Sequence, residues 1–497
     1  GIIVLTGVMK MVFVSAMKFI ADFHIHSKFS RATSRSLDPE HLALWAQKKG
    51  ITVLGTGDFT HPGWISELQE KLEPGPNGLY RLKSSLQEVA PSCQDPVRFV
   101  LTGEISCIYK KGGQTRKLHH LILMPDMESV LHLNRRLDRI GNIASDGRPI
   151  LGLDSKDLLE ITLEASEDAF FIPAHIWTPW FSLFGSKSGF DTIAACFEDL
   201  TDHIHALETG LSSDPPMNRL LSDLDRYILV SNSDAHSPAK LGREANMFDT
   251  EPDYFHMVQA MTHGNGFGGT IEFFPEEGKY HLDGHRKCGI RLAPEESEKA
   301  HGICPSCGRP MTIGVLNRVH QLSDRKLPSL QRPFFSLIPL PEILAELLGC
   351  GPATKRVTGL YHQLLEDLGP ELPILMDTPL PAVRDKGGPI LAEALKRMRA
   401  GQVIREGGYD GQFGTIRLFE AREKASIAGQ MSLFVNPAGT TAKPKPRLAP
   451  GRGKAPGNPK PKPGSAVNDP PADPLLDPLN QDQRAAVLHR KGHLLVV

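Results

Sequence analysis

The chain has 497 residues, of which 40% are hydrophobic and 23% charged, a composition typical of a globular protein with room for two or three domains. Its formal net charge of -1 and pI near 7.1 exclude an overall basic surface, so any contact with nucleic acid must be local. The 7 cysteines, an odd number that includes a Cys-x-x-Cys pair, favour a reducing cytoplasmic compartment and a bound metal over a disulfide framework.

The N-terminal segment, residues 1–16, is apolar and begins without methionine. Its composition would also suit the core of a signal peptide, but we interpret it as an extension because the strand-like segment from residue 17 carries candidate site residues. No other segment has 18 uncharged apolar residues, so we expect no transmembrane helix and no membrane partner.

Seven strand-like segments follow, and each ends in or just before a histidine, aspartate or glutamate. Helical spacing occurs between them, most clearly where Asp38 is the predicted cap, Pro39 the first helical residue and Gly50 the end. This alternation favours an α/β barrel of parallel strands, in which the strand ends converge on one face. The strand segments are 18–26, 51–58, 98–104, 117–124, 169–175, 203–208 and 227–236, and the helical ones are 36–50, 127–140 and 191–200.

Imidazole and carboxylate groups gathered on one face of a barrel are typical of a metal site. His24 and His26 point to one side of their strand because side chains alternate with a period of two. A single His-x-His is weak evidence, and we interpret the similar pair His203 and His205 as structural or surface residues. The other candidates at the strand ends make the pattern specific: Asp58, His61, Glu104, His119, His120, His175, Asp234 and His236.

A second metal pattern consists of two knuckles separated by a 15-residue loop. This spacing predicts a zinc ribbon with one structural zinc bound by four nitrogen and sulfur ligands. The ligand other than the cysteines is open, with His281 or Asp283 as alternatives to the first choice, His285. The predicted ligands are His285, Cys288, Cys304 and Cys307.

Residues 321–430 are predicted to be mostly helical. An amphipathic helix ends at a turn that contains Gly349, and Lys355 and Arg356 follow. The pattern is typical of a helix-hairpin-helix that binds a DNA backbone, and equally of a plain helix C-cap.

The composition changes to Pro, Gly, Lys and Arg over residues 436–474, which predicts a disordered basic linker. Residues 475–497, with Gln483, resemble the opening of UvrD-type superfamily 1 helicases, but no phosphate-binding loop follows. We therefore expect a C-terminal helicase domain that is truncated here.

The strand-end motifs over residues 17–275 resemble the PHP (polymerase and histidinol phosphatase) superfamily of metal-dependent phosphoesterases. The resemblance implies a distorted seven-stranded (β/α) barrel with two or three divalent metals, zinc, manganese, iron or magnesium. His119 is an alternative to His120, which we favour. Position by position, His24, His26, Glu104 and Asp234 resemble the ligands of one metal, Glu104, His120 and His175 those of a second, and Asp58, His61 and His236 those of a third.

The barrel, the ribbon (276–320) and the helical segment (321–430) together resemble the endonuclease Q family over about residues 17–430. That resemblance implies a DNA repair endonuclease that hydrolyses the phosphodiester 5′ of deaminated bases (uracil, hypoxanthine, xanthine) or abasic sites with metal-activated water. Aromatic residues after the fifth strand would either contact an extruded base or pack as ordinary apolar residues over the barrel mouth, and both interpretations stay open. The catalytic candidates are His61, Asp234 and His236, and the aromatic candidates are Trp177, Trp180, Phe181 and Phe184.

Three other functions stay open from the sequence. They are a phosphatase of small phosphoesters, a polymerase-type 3′–5′ exonuclease, and a noncatalytic DNA-binding module of a helicase. The oligomeric state is left open as well.

Overall fold

The structure is a computed structural model that describes residues 19–93, 95–420 and 422–423. The predicted extension (1–16), the basic linker (436–474) and the helicase-like segment (475–497) lie outside the described residues. Within the described part, no helix has the length and apolar character needed to cross a membrane. All seven cysteines are described, and none forms a disulfide.

The fold combines a central mixed sheet with helices around it. Its strands are β1 (Phe19–Asp22), β2 (Val53–Gly55), β3 (Leu72–Pro74), β4 (Tyr80–Leu82), β5 (Arg98–Lys111), β6 (Gln114–Met124), β7 (Ile150–Leu151), β8 (Phe170–Pro173), β9 (Ala206–Glu208), β10 (Ile228–Val230), β11 (Ala245–Phe248), β12 (Phe267–Glu272), β13 (Asp283–His285), β14 (Ile290–Leu292), β15 (Phe334–Ser336), β16 (Ile404–Glu406) and β17 (Thr415–Arg417). Its helices are α1 (Pro39–Lys49), α2 (Pro62–Lys71), α3 (Met127–Leu137), α4 (Ser155–Ala165), α5 (Ile193–Phe197), α6 (Pro215–Asn218), α7 (Tyr254–His263), α8 (Pro294–Lys299), α9 (Val315–Leu322), α10 (Leu340–Leu348), α11 (Lys355–Leu368), α12 (Glu371–Met376) and α13 (Leu380–Arg399).

Each of the seven predicted strand segments contains a strand, namely β1, β2, β5, β6, β8, β9 and β10. Five of these strands are shorter than predicted, so candidates such as His24, Asp58, His175 and Asp234 lie in the loops that follow them. Strands β5 and β6 are longer than predicted, and they contain Glu104, His119 and His120. The start of the segment 203–208 was wrong, because a 3-10 helix occupies Glu198–His203. Helix α1 matches its prediction closely: Asp38 accepts a hydrogen bond from the His41 N–H, and Gly50 ends the helix with a left-handed φ of 83°.

The prediction that all barrel strands are parallel is wrong for part of the sheet. β1, β2 and β5 pair in parallel, as do β9 and β10, whereas β6 pairs antiparallel with both β5 and β8. The reason is the turn Gly112 and Gly113, with φ of 61° and 75°, which lets β5 return at once as a hairpin instead of crossing over through a helix.

Two further backbone contacts join β9 and β10, which form a separate two-stranded sheet, to the main sheet. The Ile176 N–H, just after β8, donates to the carbonyl of Glu208 in β9 at 3.1 Å. After β1, Ile25 forms a parallel bridge with Ala235, which follows β10. The ends of all seven strands are therefore held close to one another.

The helical C-terminal part packs against the sheet domain through a buried ion pair. Lys49 of α1 lies 2.6 Å from Glu371 of α12, and both side chains are at most 4% exposed. Glu371 also accepts hydrogen bonds from the Tyr361 hydroxyl at 2.8 Å and the Leu340 N–H at 3.0 Å. The described residues cluster as one compact unit, so the predicted boundaries at residues 275 and 320 stay predictions.

The turn at Gly349, interpreted from the sequence either as part of a DNA-binding helix-hairpin-helix or as a plain helix C-cap, lies between α10 and α11. Gly349 has a left-handed φ of 63°, and its N–H donates to the carbonyl of Ala345, so the plain C-cap is present. Lys355 and Arg356 are exposed at the start of α11. Their predicted contact with DNA stays a prediction.

Candidate active site

His24 and His26 are oriented by carboxylates on their outer sides. Both rings are fully buried. His24 Nδ1 lies 3.0 Å from both carboxylate oxygens of Glu208, and His26 Nδ1 lies 3.0 Å from Asp58 Oδ1. Each ring therefore has its Nε2 free to face inward. Carboxylate–histidine pairs of this kind fix the ring and its tautomer in metal sites.

The inward nitrogens meet two carboxylates. Both Nε2 atoms lie 3.4 Å from Glu104 Oε2, and Asp234 Oδ1 is 2.9 Å from His26 Nε2 and 3.8 Å from His24 Nε2. His24 Nε2 is buried yet makes no hydrogen bond. The ligand atoms of His24, His26, Glu104 and Asp234 all lie within 4.8 Å of one another, as a shared metal ion requires. An unpartnered buried nitrogen beside two carboxylates fits a divalent transition metal.

Glu104 contributes its other oxygen to a second group. Glu104 Oε1 lies 2.6 Å from His119 Nδ1 and 3.2 Å from His175 Nε2, and these two nitrogens are 3.1 Å apart. The three side chains again offer ligand atoms within 4.8 Å of one another. Glu104 therefore sits between the two groups and could bridge two metal ions.

The structure places His119, and not the favoured His120, beside Glu104. His120 is fully buried on the other side of β6, where its Nε2 lies 2.7 Å from the Ser155 hydroxyl and its ring packs on Phe171. Neighbouring residues on a strand face opposite sides, so only one of the two could reach Glu104. That residue is His119.

The predicted third set is not gathered into a group of its own. One carboxylate oxygen of Asp58 contacts His26 Nδ1. Its other oxygen accepts hydrogen bonds from the Ser27 N–H and hydroxyl, both at 2.6 Å. His61 caps helix α2, where its Nδ1 accepts from the Gly63 N–H, and its ring stacks on Phe29.

His236, the last member of that set, lies beside the first group. Its ring centroid is 4.6 Å from that of His26, and its Nδ1 is 2.9 Å from the backbone oxygen of Asp234. His203 and His205 belong to neither group.

Opposite charges stabilise one another inside this buried site. Burial lowers the pKa of His26, but the carboxylates of Asp58 and Asp234 outweigh it and raise that pKa to about 9. Burial likewise raises the pKa of Glu104, but His119 and Arg148 hold it well below its ordinary value. Ionised carboxylates at the centre of the site favour a bound cation.

Three site residues have left-handed backbone conformations. The φ angles are 49° at Asp58, 29° at His175 and 47° at Asp234. Such angles cost about 1–3 kcal/mol for residues other than glycine, and they cluster at active sites.

A cleft of about 300 Å³ opens onto the second group. Two of the aromatic candidates, Trp180 and Phe181, line it, and their contact with a base stays a prediction. Trp177 and Phe184 do not: both are buried in the core, and the Trp177 Nε1–H donates to Asn218 Oδ1 at 2.7 Å. For these two rings the structure agrees with the alternative interpretation, apolar packing under the loop.

The four predicted ribbon ligands come together as well. The Cys307 sulfur is 3.3 Å from His285 Nδ1, whereas Asp283 is buried and accepts from the Gly314 N–H. Desolvation raises the pKa of the Cys304 thiol, but hydrogen bonds from the backbone N–H groups of Cys307 and Ser306 bring it down to about 7, which favours thiolate. The group within 4.8 Å consists of His285, Cys288, Cys304 and Cys307.

Comparisons with known proteins cover most of the chain. A family model described as the MJ0043 C-terminal domain matches residues 339–402, which contain α10 to α13. The uncharacterized protein MJ0043 of Methanocaldococcus jannaschii is 32% identical over 280 residues, which are 54% of this chain and 35% of that protein. The chain thus spans about a third of the length of this relative. The uncharacterized protein YqxK of Bacillus subtilis is 28% identical over 426 residues, which are 80% of this chain and 99% of that protein.

Solved structures match over a similar extent. The lesion-specific endonuclease PfuEndoQ from Pyrococcus furiosus is 29% identical, with a TM-score of 0.71 over 82% of this chain and 98% of that one. An endonuclease Q in complex with a 27-mer duplex substrate, with an abasic lesion at its active site, is 31% identical, with a TM-score of 0.69 over 81% of this chain and 97% of that one. The chain belongs to the endonuclease Q family. Its mixed α/β fold matches both endonuclease Q structures.

The sequence did not predict two residues of the candidate site in this member of the endonuclease Q family, Glu208 and Arg148. Glu208, the last residue of the predicted strand segment 203–208, is not among the candidate site residues, yet it accepts hydrogen bonds from the His175 N–H and from Asn232 Nδ2, both at 2.8 Å, besides contacting His24. Arg148 Nη1 donates to Glu104 Oε2 at 3.0 Å and lines the cleft. The strand-end position of Glu208 was a usable signal, whereas the loop sequence around Arg148 contains none.

Proposed function

We propose that this protein is a metal-dependent endonuclease of DNA repair, which hydrolyses the phosphodiester 5′ of deaminated bases or abasic sites. The observation that carries the proposal is the buried group of histidines and carboxylates around Glu104, at the mouth of a cleft, in a chain of the endonuclease Q family. One solved member of that family holds duplex DNA with an abasic lesion at its active site. Extension to uracil, hypoxanthine and xanthine rests on the sequence resemblance.

The residues present fit two metals more closely than three. His24, His26, Glu104 and Asp234 would hold the first, and Glu104, His119 and His175 the second. Divalent metals bound there would supply Lewis acidity, which lowers the pKa of water and stabilises charge on the attacking and leaving oxygens. Glu208 and Asp58 would keep His24 and His26 in the tautomer with a free Nε2.

Two side chains at the cleft would contact the DNA during the reaction. The Arg148 guanidinium, partly exposed, would bind a nonbridging oxygen of the scissile phosphate. His236 is our candidate for protonating the leaving oxygen. As the imidazolium, it would donate its Nδ1–H to the Asp234 carbonyl and give the second proton, on Nε2, to the leaving oxygen. His61, the other predicted donor, is engaged as the cap of α2.

The remaining parts of the chain are assigned supporting roles. We interpret the circuit of β1, β2, β5, β6, β8, β9 and β10 as the distorted PHP barrel. The four-residue group at Cys304 would hold the structural zinc of a ribbon. Lys355 and Arg356, exposed at the start of α11, would contact the DNA backbone.

A nicking assay tests the proposal. An end-labelled duplex with one internal uracil, hypoxanthine or abasic site, protected at its 3′ ends by phosphorothioates, is incubated with protein and Mg²⁺, Mn²⁺ or Zn²⁺. We expect one cut on the 5′ side of the lesion and none in the undamaged duplex. Release of phosphate from small esters without any cut at the lesion would refute the proposal, and shortening only of unprotected 3′ ends would indicate an exonuclease.

The matched control separates catalysis from folding. Asp234→Ala removes a proposed metal ligand and should abolish nicking, whereas Cys304→Ser should release one zinc per chain and leave the cleft metals in place. Metal content measured by mass spectrometry, together with the unfolding midpoint, distinguishes the two losses. If Asp234→Ala nicked at the normal rate, the first metal group would have no part in the reaction.

A further inference from the structure

Three aromatic residues, Trp180, Tyr280 and Phe413, lie on the surface next to the cleft. The Trp180 ring lies 5.5 Å from the Tyr280 ring at a steep angle. The neighbour of Tyr280, Lys279, places its ammonium 4.8 Å from the centre of the Phe413 ring. We call this surface, formed by Trp180, Lys279, Tyr280 and Phe413, the aromatic ridge.

The aromatic ridge is exposed to a degree that packing does not explain. Phe413 is 66% exposed and Trp180 is 41% exposed. Exposed aromatic side chains that lie together in one patch, unlike a single exposed ring such as Phe255, mark a site that another molecule covers. Since Trp180 also lines the cleft, the ridge is continuous with the proposed active site.

Phe413 is presented by a rigid loop. The loop between β16 and β17 donates three backbone hydrogen bonds to the segment before β13: Gly408 N–H to Glu276 O at 2.8 Å, Gly411 N–H to Lys279 O at 3.0 Å, and Gly414 N–H to Glu277 O at 3.1 Å. Side chains at positions 408 and 414 would overlap backbone atoms of this segment, so glycine is required there for the close approach. An exposed ring on a loop held this tightly loses little entropy when it binds.

The charges along the ridge fit a polyanion. Lys279 lies beside Phe413, and Lys117 lies 5.5 Å from the Phe181 ring in the cleft wall. Arg148 adds a guanidinium inside the cleft. Aromatic faces interleaved with basic groups are the arrangement with which proteins bind unpaired nucleotides, because every base has a face to stack and a phosphate to neutralise.

We infer that the aromatic ridge binds the nucleotides that flank the lesion, with the Phe413 ring stacked on an unpaired base and Lys279 contacting the adjoining phosphate. This inference rests on the proposed function, because it takes damaged DNA as the ligand. It assigns the glycine-rich β16–β17 loop a role in substrate binding that is separate from the chemistry.

Binding is measured by fluorescence anisotropy with the full-length protein carrying Asp234→Ala, which prevents cleavage, and a duplex with a single abasic site. Loss of one base stack in Phe413→Ala should weaken affinity about 5- to 150-fold, and Phe413→Trp should restore it. Lys279→Gln should lower the slope of log affinity against log salt by about 1, whereas Phe413→Ala should leave that slope unchanged. Phe255→Ala, at a 44% exposed ring in α7, is the matched control and should bind as the parent does.

A fluorescent base shows whether stacking is the cause. 2-Aminopurine next to the abasic site should be quenched by the parent protein and by Phe413→Trp, but not by Phe413→Ala. Equal binding by Phe413→Ala and the parent overturns the inference, and so does an equal loss in Phe413→Ala and Phe255→Ala. Unfolding midpoints and zinc content show whether each variant is folded.

The failure of the inference differs from the failure of the proposed function. If the wild-type chain nicks at the lesion while Phe413→Ala binds normally, only the inference fails. If no DNA is nicked but binding still depends on Phe413, the proposed function is refuted, whereas the inference that the aromatic ridge binds DNA is supported.

Discussion

Replacement of Glu208 by glutamine tests how the site is organised. Glu208 Oε1 accepts from Asn232 Nδ2 and Oε2 accepts from the His175 N–H, both at 2.8 Å. Asn232 cannot turn its amide, because its own oxygen accepts from the Phe23 N–H at 2.8 Å. The side-chain NH₂ group introduced by Glu208→Gln therefore faces a hydrogen-bond donor in either orientation of the amide: Asn232 Nδ2 in one and the His175 N–H in the other.

The expected size of the effect follows from these contacts. One buried donor left without a partner costs about 1–3 kcal/mol of unfolding free energy. The His24 ring loses part of its orientation as well, and removal of such a supporting carboxylate typically lowers metal affinity or activity about 10- to 100-fold. We thus expect a modest loss of stability together with a larger loss of metal binding.

Metal affinity is measured by competition with a chromogenic chelator, and stability by urea unfolding. The matched control is Glu244→Gln, because Glu244 is also fully buried but contacts the Phe273 N–H and no residue of the metal groups. That variant should bind metal as the wild type does. Unchanged metal affinity in Glu208→Gln, with reduced stability, would refute the reasoning and leave Glu208 with a structural role only.

Three further predictions concern other parts of the chain. His119→Ala should lose metal from the second group, whereas His120→Ala should keep it and lose about 1–3 kcal/mol of unfolding free energy, as metal analysis and urea unfolding will show. Lys49→Met should destabilise the protein by about 3–5 kcal/mol without changing metal content, because it leaves the Glu371 carboxylate buried and unpaired. Burial raises the pKa of Glu277 from 4.5 to about 8, so the folded state binds a proton that the unfolded state releases, and stability should fall as pH rises between these values. Unfolding midpoints across that range should vary less with pH in Glu277→Gln.

The sequence predicted the strands well and their directions poorly. Alternating apolar residues and turn signals are local, so all seven strand segments could be found. The direction of β6 depends on the turn at Gly112 and Gly113, a hairpin signal that the expectation of parallel strands overrode. The lengths of β2 and β10 were overestimated because the backbone leaves the sheet before Asp58 and Asp234, which adopt left-handed conformations, whereas the lengths of β5 and β6 were underestimated.

The same limit applies to the candidate site. Residue types at strand ends identified His24, His26, Glu104, His175 and Asp234, since these positions follow from local pattern. The choice between His119 and His120 could not be made locally, because it depends on which face of β6 meets Glu104, and that is set by pairing with other strands. Likewise, Trp177 is buried in the core whereas Trp180 lines the cleft, a difference that depends on tertiary packing and not on the local sequence.

The distance along the chain between the members of the first metal group has a consequence for biosynthesis. His26 and Asp234, whose side chains meet at 2.9 Å, are 208 residues apart. At translation rates of about 5–20 residues per second, His26 is synthesised roughly 10–40 s before its partner exists. Strand β1 likewise waits for β11 before both of its edges are paired. Metal uptake by the first group should therefore be among the last events in folding, and a nascent chain that ends before residue 234 should be unable to assemble this group.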